Sequence, residues 1–380
     1  MESTPAIEGR VEKLTRNRLE RLAALTPQLV VEPRDPRGVR HPLPDLAVGM
    51  VAAALKGGSA IRHVEKFTSS IRLGYRGKGI SDGALTHLLA RAPADLFKAL
   101  LVQAVKDGKR RNELAPDGLA QHWTTIDGKY SVYDHHCGGL GQKFEGDGKV
   151  WWRLGTLRAM LVSAKGRTML GLRAMPPARA EATAAVEDKL KHTGETTNLL
   201  PFVQDLRRSY GDLCENFTVD AGLWSKELFL EFNSRGLGLF AGLKVNRGDL
   251  FVEATRLLNI ARRTLKPMAE SEWEPSRGGT IRRRLWRTNK LEDWMGWKHL
   301  RQVILVEQTT MNNDGEIVHV EDRYFVTNMT VGALTPSQAL TLVRRHWAIA
   351  VFRFLGRLLR RLPCSSTKTT ARGARRTLQR

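Results

Sequence analysis

Hydrophobic residues recur at helical spacing through the first third of the chain. Apolar positions three or four residues apart predict four helices, at residues 46–55, 61–71, 82–90 and 94–106. The turn sequence Pro116-Asp117-Gly118 follows the last of them. We interpret residues 26–118 as a small helical domain and residues 1–25 as a leader with only a weak helical period.

After residue 118 the pattern changes to runs of β-branched and aromatic residues, which are typical of strands. The predicted strands cover residues 122–128, 149–163, 167–174, 217–220 and 237–244, with helices at 176–205 and 226–234. The first three strands follow one another directly, which indicates antiparallel pairing. The later strands alternate with helices, which indicates that they join the sheet in parallel. This order predicts an α/β fold with a ribonuclease H-like mixed sheet, preceded by the small helical domain.

Residues 246–325 interrupt that order. They contain a helical pattern at 250–265, a basic tract, and two strand patterns joined by Asn312-Asn313-Asp314-Gly315, a strong hairpin signal. We interpret them as a β-rich insertion within a catalytic domain of residues 119–350. A helical pattern that begins at Pro336 closes this domain.

Two of the predicted strands end on an aspartate that small residues follow, in Ile126-Asp127-Gly128 and Val219-Asp220-Ala221-Gly222. Ligands of open α/β sheets bind beyond the carboxyl ends of the strands, so neighbouring strands would direct both carboxylates to one cation. Oxygen ligands of this kind suit Mg²⁺ or Mn²⁺. Taken singly, each aspartate is better explained by a turn or a helix cap, and only the two together favour a cation site.

The charge balance points to a polyanionic partner. Lys and Arg total 61 against 39 for Asp and Glu, which gives a net charge of +22 and a sequence pI of about 10.4. Among polyanions, nucleic acid is the partner that we expect such a basic protein to bind. The three scattered cysteines indicate neither a disulfide framework nor a zinc site. The longest apolar run is about half of the ~20 residues that a membrane span requires, so we expect no membrane partner.

The most basic stretch, residues 277–301, interleaves cationic and indole side chains. Its eight basic residues are Arg277, Arg282, Arg283, Arg284, Arg287, Lys290, Lys298 and Arg301. Basic groups neutralise phosphates and indoles stack on unpaired bases, so we predict DNA binding by this tract, with Trp286 as a stacking residue. The alternative, which is compatible with it, is that Trp286, Trp294 and Trp297 form the insertion's own small core.

Several short motifs occur in an order and at spacings that resemble one family. They are Gly79-Ile80-Ser81-Asp82, residues 90–97, Ile126-Asp127-Gly128-Lys129, Asp220-Ala221-Gly222, residues 323–328 and residues 344–349. Together they span roughly residues 35–350. They resemble the DDE transposases of bacterial insertion sequences, in the group with a helical transposase-associated domain before a ribonuclease H-like core.

The resemblance implies a site in which three carboxylates hold two divalent cations, Mg²⁺ or Mn²⁺, for cleavage and strand transfer of DNA. It assigns the first two carboxylates to Asp127 and Asp220. It also places His346 close to the third carboxylate, where the histidine could contact a phosphate. Lys129 could contact a phosphate or point to solvent, and we favour solvent. The implied partners are insertion-sequence ends and target DNA, bound by a homo-oligomer in the bacterial cytoplasm, at the nucleoid.

The third carboxylate of the family is a glutamate directly after the His-Trp run, and Ala350 replaces it here. Residues 351–380 contain eight arginines, one lysine and no acid, where the family continues with acidic and amide residues. We hypothesise a frameshift near codon 350 that makes this basic tail out of frame. Glu307, Glu321 and Asp322 are candidate substitute acids, which we interpret as solvated residues of the predicted hairpin.

The resemblance thus implies an insertion-sequence transposase by descent, impaired by the loss of one metal ligand. Two alternatives remain open. The protein could be a non-catalytic basic DNA-binding protein derived from a transposase, or a different ribonuclease H-like nuclease that cleaves without strand transfer.

Overall fold

A computed structural model describes most of the chain from residue 41 to residue 346. The described residues are 41–55, 61–70, 79–89, 98–134, 142–146, 149–175, 194–276 and 278–346, with isolated positions before residue 41. Most of the predicted leader, the basic tail, Ala350, Arg277 and the first part of the helix predicted at 176–205 lie outside these residues.

Four helices precede the sheet, as the hydrophobic spacing predicts. They are α1 (Leu43–Leu55), α2 (Ile61–Ser70), α3 (Asp82–Leu89) and α4 (Lys98–Arg110). Their apolar faces bury a small core of their own, which includes Leu46, Val64 and Leu85. α4 joins this core to the main one, since Leu100 packs into the small core and Val105 into the core beneath the sheet.

All eleven strands in the described part of the chain belong to one sheet. They are β1 (Thr124–Asp134), β2 (Gln142–Gly146), β3 (Lys149–Leu161), β4 (Thr168–Ala174), β5 (Asn216–Val219), β6 (Gly238–Leu243), β7 (Ala269–Glu270), β8 (Glu274–Ser276), β9 (Gly279–Thr288), β10 (Gln302–Asn312) and β11 (Ile317–Thr327). The order across the sheet is β2-β3-β1-β5-β6-β11-β10-β9-β7, with β4 also paired to β3 and β8 also paired to β9.

The centre of the sheet is mixed in direction. β3 is antiparallel to both β4 and β1, whereas β1, β5 and β6 are parallel to one another. Helices α5 (Glu195–Tyr210) and α6 (Lys226–Ser234) precede β5 and β6 and provide the long connections that parallel strands require. The prediction of a mixed α/β sheet behind N-terminal helices is confirmed.

The region predicted as an insertion extends this same sheet. β11 pairs antiparallel with β6, from Phe240 opposite Thr327 to Leu243 opposite Tyr324, and β10 and β9 continue beyond it. The predicted hairpin is present as β10 and β11, closed by a turn at Asn312–Gly315. Helix α7 (Gly248–Thr264) links β6 to these added strands.

Different helices cover the two faces of the sheet. Ile126, Val219 and Ala241 face the main core, together with buried residues of α5, α6 and α7. Phe240 and Phe325 face the opposite side, where helix α8 (Pro336–His346) packs through residues such as Val343. No helix in the described residues is long and apolar enough to cross a membrane.

Candidate functional site

Asp127 and Asp220 lie on neighbouring parallel strands. β1 and β5 pair through Thr124 with Phe217, Thr125 with Thr218, and Ile126 with Val219, so each aspartate directly follows the last paired residue of its segment. Paired strands lie about 4.8 Å apart, which brings the two backbones close together. The aspartate side chains are 16% and 33% exposed. The structure thus places the two aspartates that the sequence singled out directly after paired residues of β1 and β5.

One detail of the sequence prediction is wrong, because β1 does not end at Asp127. The strand continues to Asp134, since it keeps its antiparallel pairing with β3 beyond Asp127. Only the parallel partner stops here, as β5 ends at Val219. Asp127 therefore projects from within a strand, whereas Asp220 begins a loop.

A histidine of α8 ties the two strands together one pleat before the aspartates. Thr125 lies two residues before Asp127, and alternate strand residues share a face. His346 Nδ1 lies 3.1 Å from the Thr125 Oγ1 and 2.8 Å from the Thr218 Oγ1. These contacts fix the lateral spacing of β1 and β5 at the place where the carboxylates emerge.

His346 itself is in the interior, with 5% of its surface exposed. Burial lowers the pKa of this histidine, and the carboxylates of Asp127 and Asp220 offset that effect only in part. The ring is therefore neutral at neutral pH. The structure does not support the predicted phosphate contact, because the imidazole is enclosed between α8 and the sheet; His346 is a positioning residue for the aspartate pair.

Basic side chains surround the two carboxylates. Lys129 Nζ lies 2.9 Å from Asp127 Oδ2, and Lys244 Nζ lies 3.7 Å from Asp220 Oδ1. Arg158, which is 5% exposed, stands opposite Asp127 on β3. Lys129 thus forms an ion pair with Asp127 rather than pointing free into solvent as predicted. The two negative charges thus lie among three positive ones.

Asp220 also stabilises its own loop. Its Oδ1 accepts a hydrogen bond of 2.8 Å from the backbone N–H of Ala221, and its carbonyl oxygen accepts one from the N–H of Leu223. This loop passes close to β6, where a Cβ on Gly242 would lie 3.2 Å from the Ala221 nitrogen. Asp220 thus stabilises its turn, as the alternative interpretation predicted, and also lies beside the strand that carries Asp127.

The donor set fits one hydrated divalent cation. Mg²⁺ is commonly bound by one or two carboxylates together with water and substrate phosphates. Asp127 and Asp220 could provide the two carboxylates. Within the described residues, no group of three or more His, Cys, Asp or Glu side chains could hold a metal ion. A two-cation centre of the kind that the family resemblance implies would need a further carboxylate, and Ala350 stands at its expected position.

The candidate substitute acids are engaged elsewhere. Glu307 was expected in solvent but is 7% exposed, because it faces the α7 side of the sheet, where Arg262 and Arg284 pair with it. That side is opposite to the face beneath α8. Asp322 pairs with the same Arg262 at 2.8 Å, and Glu321 pairs with an arginine two residues later.

Most of the arginines predicted to bind DNA form intramolecular contacts. Their partners are Glu270 for Arg282, Glu274 for Arg283, Glu307 for Arg284, the Leu334 carbonyl for Arg287 and Glu292 for Arg301. Trp286 is 2% exposed and donates its indole N–H to the Leu265 carbonyl, so a base-stacking role is not supported. Lys290 and Lys298 are exposed, and the prediction that they bind DNA stays a prediction.

Sequence reasoning missed the threonines and one of the lysines at this site. A usable signal was present, since the pattern Thr-x-Asp occurs at both strands, in Thr125-Ile126-Asp127 and Thr218-Val219-Asp220. Lys244 gave no such signal, because its approach to Asp220 depends on the pairing of β5 with β6.

Comparison with known proteins adds no family assignment. No protein-family model matches this sequence, and no curated protein is significantly similar to it.

Proposed function

We propose that this protein is a DNA transposase by descent, which binds DNA and holds a divalent cation between Asp127 and Asp220 for phosphodiester chemistry. The observation that carries the proposal is the placement of the two aspartates at adjoining positions on parallel strands, above the His346 contacts. The absence of a carboxylate at position 350 leaves the chain impaired.

The strand order supports the ribonuclease H-like interpretation of the fold. Read across its centre, the sheet runs β4-β3-β1-β5-β6, with three antiparallel strands followed by two parallel additions. This is the layout that the order of elements in the sequence indicates. The aspartates lie on the first strand and directly after the first parallel addition, where the family resemblance assigns them.

The residues of the chain divide the work at the site. Asp127 and Asp220 would hold Mg²⁺ or Mn²⁺, which when bound polarises a phosphate and lowers the pKa of water. Lys129 and Lys244 stand beside the carboxylates and would neutralise phosphate oxygens. His346, kept neutral by burial, holds the two strands in register and takes no proton from the substrate.

A second candidate function is a DNA-binding protein without catalysis. The observation that favours it is the pairing of both carboxylates with lysines, because an ammonium group competes with a cation for the same oxygens. In that case the +22 net charge would provide the affinity for DNA, and the aspartate pair would only stabilise the sheet.

A nicking assay with supercoiled plasmid and Mn²⁺ separates the two functions. We expect weak nicking by the wild-type protein, none by Asp127→Asn, and more by Ala350→Glu. A recovered metal ligand is worth several kcal/mol, so the gain should be on the order of a hundredfold.

Ala350→Gln is the matched control for the glutamate, because it adds a side chain of the same shape without the charge. Asp314→Asn, at an exposed hairpin turn, controls for the loss of an acid. Equal nicking by the wild-type protein and Asp127→Asn would eliminate the catalytic proposal and leave the DNA-binding one.

A further inference from the structure

An open cavity of about 360 Å³ lies beside α8, away from the aspartate pair. The turn between β3 and β4, strands β8 and β9, and the last turn of α8 form its walls. Five of its side chains are basic and one is acidic, namely Lys165, Arg167, Arg283, Arg344, Arg345 and Glu274. The sequence prediction included only Arg283 among these residues.

The cationic groups of the cavity are held in place by a small number of acids. Glu274 accepts from both Arg283 at 3.0 Å and Arg344 at 2.9 Å, so two guanidinium groups share one carboxylate. Arg345 pairs with Asp117 at 3.0 Å and also donates to the carbonyl oxygen of Ser163. Five positive charges against two carboxylates leave an excess of three.

Two of the five cations face solvent. Lys165 and Arg167 are exposed, and neither forms an ion pair with any residue that the structure describes. Arg283 is more enclosed, with 16% of its side chain exposed: burial lowers its pKa, and the Glu274 carboxylate offsets that effect only in part. Lys165 and Arg167 are thus exposed cations at the rim, and the Arg283 guanidinium is held in place below them. This arrangement suits an anion with several oxygen atoms.

We propose that this cavity binds a backbone segment of DNA through its phosphates. The proposal rests on the proposed function and adds a position for the DNA strand. The volume is at the lower end of the about 300–1,000 Å³ typical of ligand pockets, which suits one or two sugar-phosphate units. The planar guanidinium groups match phosphate geometry in pairs.

The cavity and the aspartate pair are coupled through consecutive residues of α8. Arg345 contacts the turn that follows β3, while His346 contacts the threonines beneath the aspartates. The backbone N–H of Val162, which lines the cavity, donates to the carbonyl oxygen of Trp123, which directly precedes β1 and lies four residues before Asp127. At about 3.3 Å per residue this is on the order of 13 Å, the axial span of about four nucleotides. One DNA strand could thus occupy both places.

The test is the charge reversal Lys165→Glu with Arg167→Glu, at two exposed positions outside the aspartate site. Binding of a labelled duplex is measured by fluorescence anisotropy over a range of salt concentrations. Loss of two phosphate contacts should weaken binding roughly tenfold or more at low salt and reduce the salt slope by about 2.

The matched control is Arg263→Glu with Lys266→Glu, two exposed cations near the end of α7, on the other face of the sheet. It changes the net charge equally. If both double variants lose the same affinity and slope, the cavity is not a DNA site, while the proposed function stands. If the wild-type protein binds no duplex, the proposed function fails as well.

Calorimetry with inorganic pyrophosphate completes the test. One outcome is that the wild-type protein binds pyrophosphate, and that Lys165→Glu with Arg167→Glu abolishes this binding but leaves duplex binding unchanged. This result would assign the cavity to a small phosphate ligand and overturn the DNA assignment. Weakened duplex binding in the cavity variant alone supports it.

Discussion

At the scale of single residues, the site depends on a buried histidine, His346. Its imidazole stays neutral because the nearby carboxylates do not fully offset the effect of burial on its pKa. His346 bridges the hydroxyl groups of Thr125 and Thr218, and burial lowers its pKa more than the nearby carboxylates raise it. The family resemblance implied that this histidine lies close to the third acid of the site. It could not indicate that the ring points inward, because burial depends on how α8 packs across two strands that are distant in sequence.

The lowered pKa of His346 predicts how stability depends on pH. The unfolded chain takes up a proton at this residue near pH 6.5 and the folded chain only at lower pH, so stability is lost as pH falls below about 6.5. The slope from one histidine is at most about 1.4 kcal/mol per pH unit. His346→Gln should flatten the dependence of the free energy of unfolding on pH, as measured by urea denaturation.

Burial also lowers the pKa of His122, so this residue contributes in the same pH range. His122→Gln measures that separate contribution and serves as the control. A His346→Gln protein that keeps the full wild-type slope between about pH 5 and 6.5 would show that the imidazole is not enclosed in solution.

At the scale of elements, periodicity located most helices and strands but not their partners. The bounds of α6 and of the β10–β11 hairpin follow from local spacing and turn residues, so the sequence predicted them closely. The pairing of β11 with β6 joins residues more than 80 positions apart, and no local pattern records it. The same is true of Glu307, whose burial results from the strand order around it.

The contacts of His346 with Thr125 and Thr218, which join α8 to β1 and β5, can be tested by replacing one hydroxyl group with a methyl group. Thr218→Val keeps the shape of the side chain and removes the hydroxyl that contacts His346, which should lower the free energy of unfolding by about 1 kcal/mol or more. Thr280→Val is the matched control, since the buried Thr280 Oγ1 has no hydrogen-bond partner among the residues that the structure describes. Equal stability of the two variants in urea denaturation would contradict the role given to these contacts.

At the scale of the whole molecule, charge is the property that composition reports directly. The net charge is +22, and residues 351–380 carry nine of these positive charges with no acid. Composition could not show that most arginines of residues 282–301 are paired internally. The described region therefore offers fewer cations to the proposed DNA partner than its sequence count, which gives the charge of residues 351–380 more weight in the proposal.

Removal of residues 351–380 should therefore weaken binding of duplex DNA. The salt slope should fall by about 0.9 for each phosphate contact that the tail makes. A second protein, with the nine basic residues of the tail replaced by glutamine, separates charge from length and should behave like the truncated one. Unchanged slopes in both proteins would mean that the tail does not contact DNA.

The most direct test of the central claim is the binding of Mn²⁺, followed by electron paramagnetic resonance. We expect one bound ion per chain in the wild-type protein and its loss in both Asp127→Asn and Asp220→Asn, because each variant removes one of the two carboxylates from the shared site. Asp314→Asn, which removes an exposed acid elsewhere, should bind as the wild-type protein does. Equal binding by all four proteins, or none by the wild-type protein, would contradict the claim that the two aspartates form a metal site.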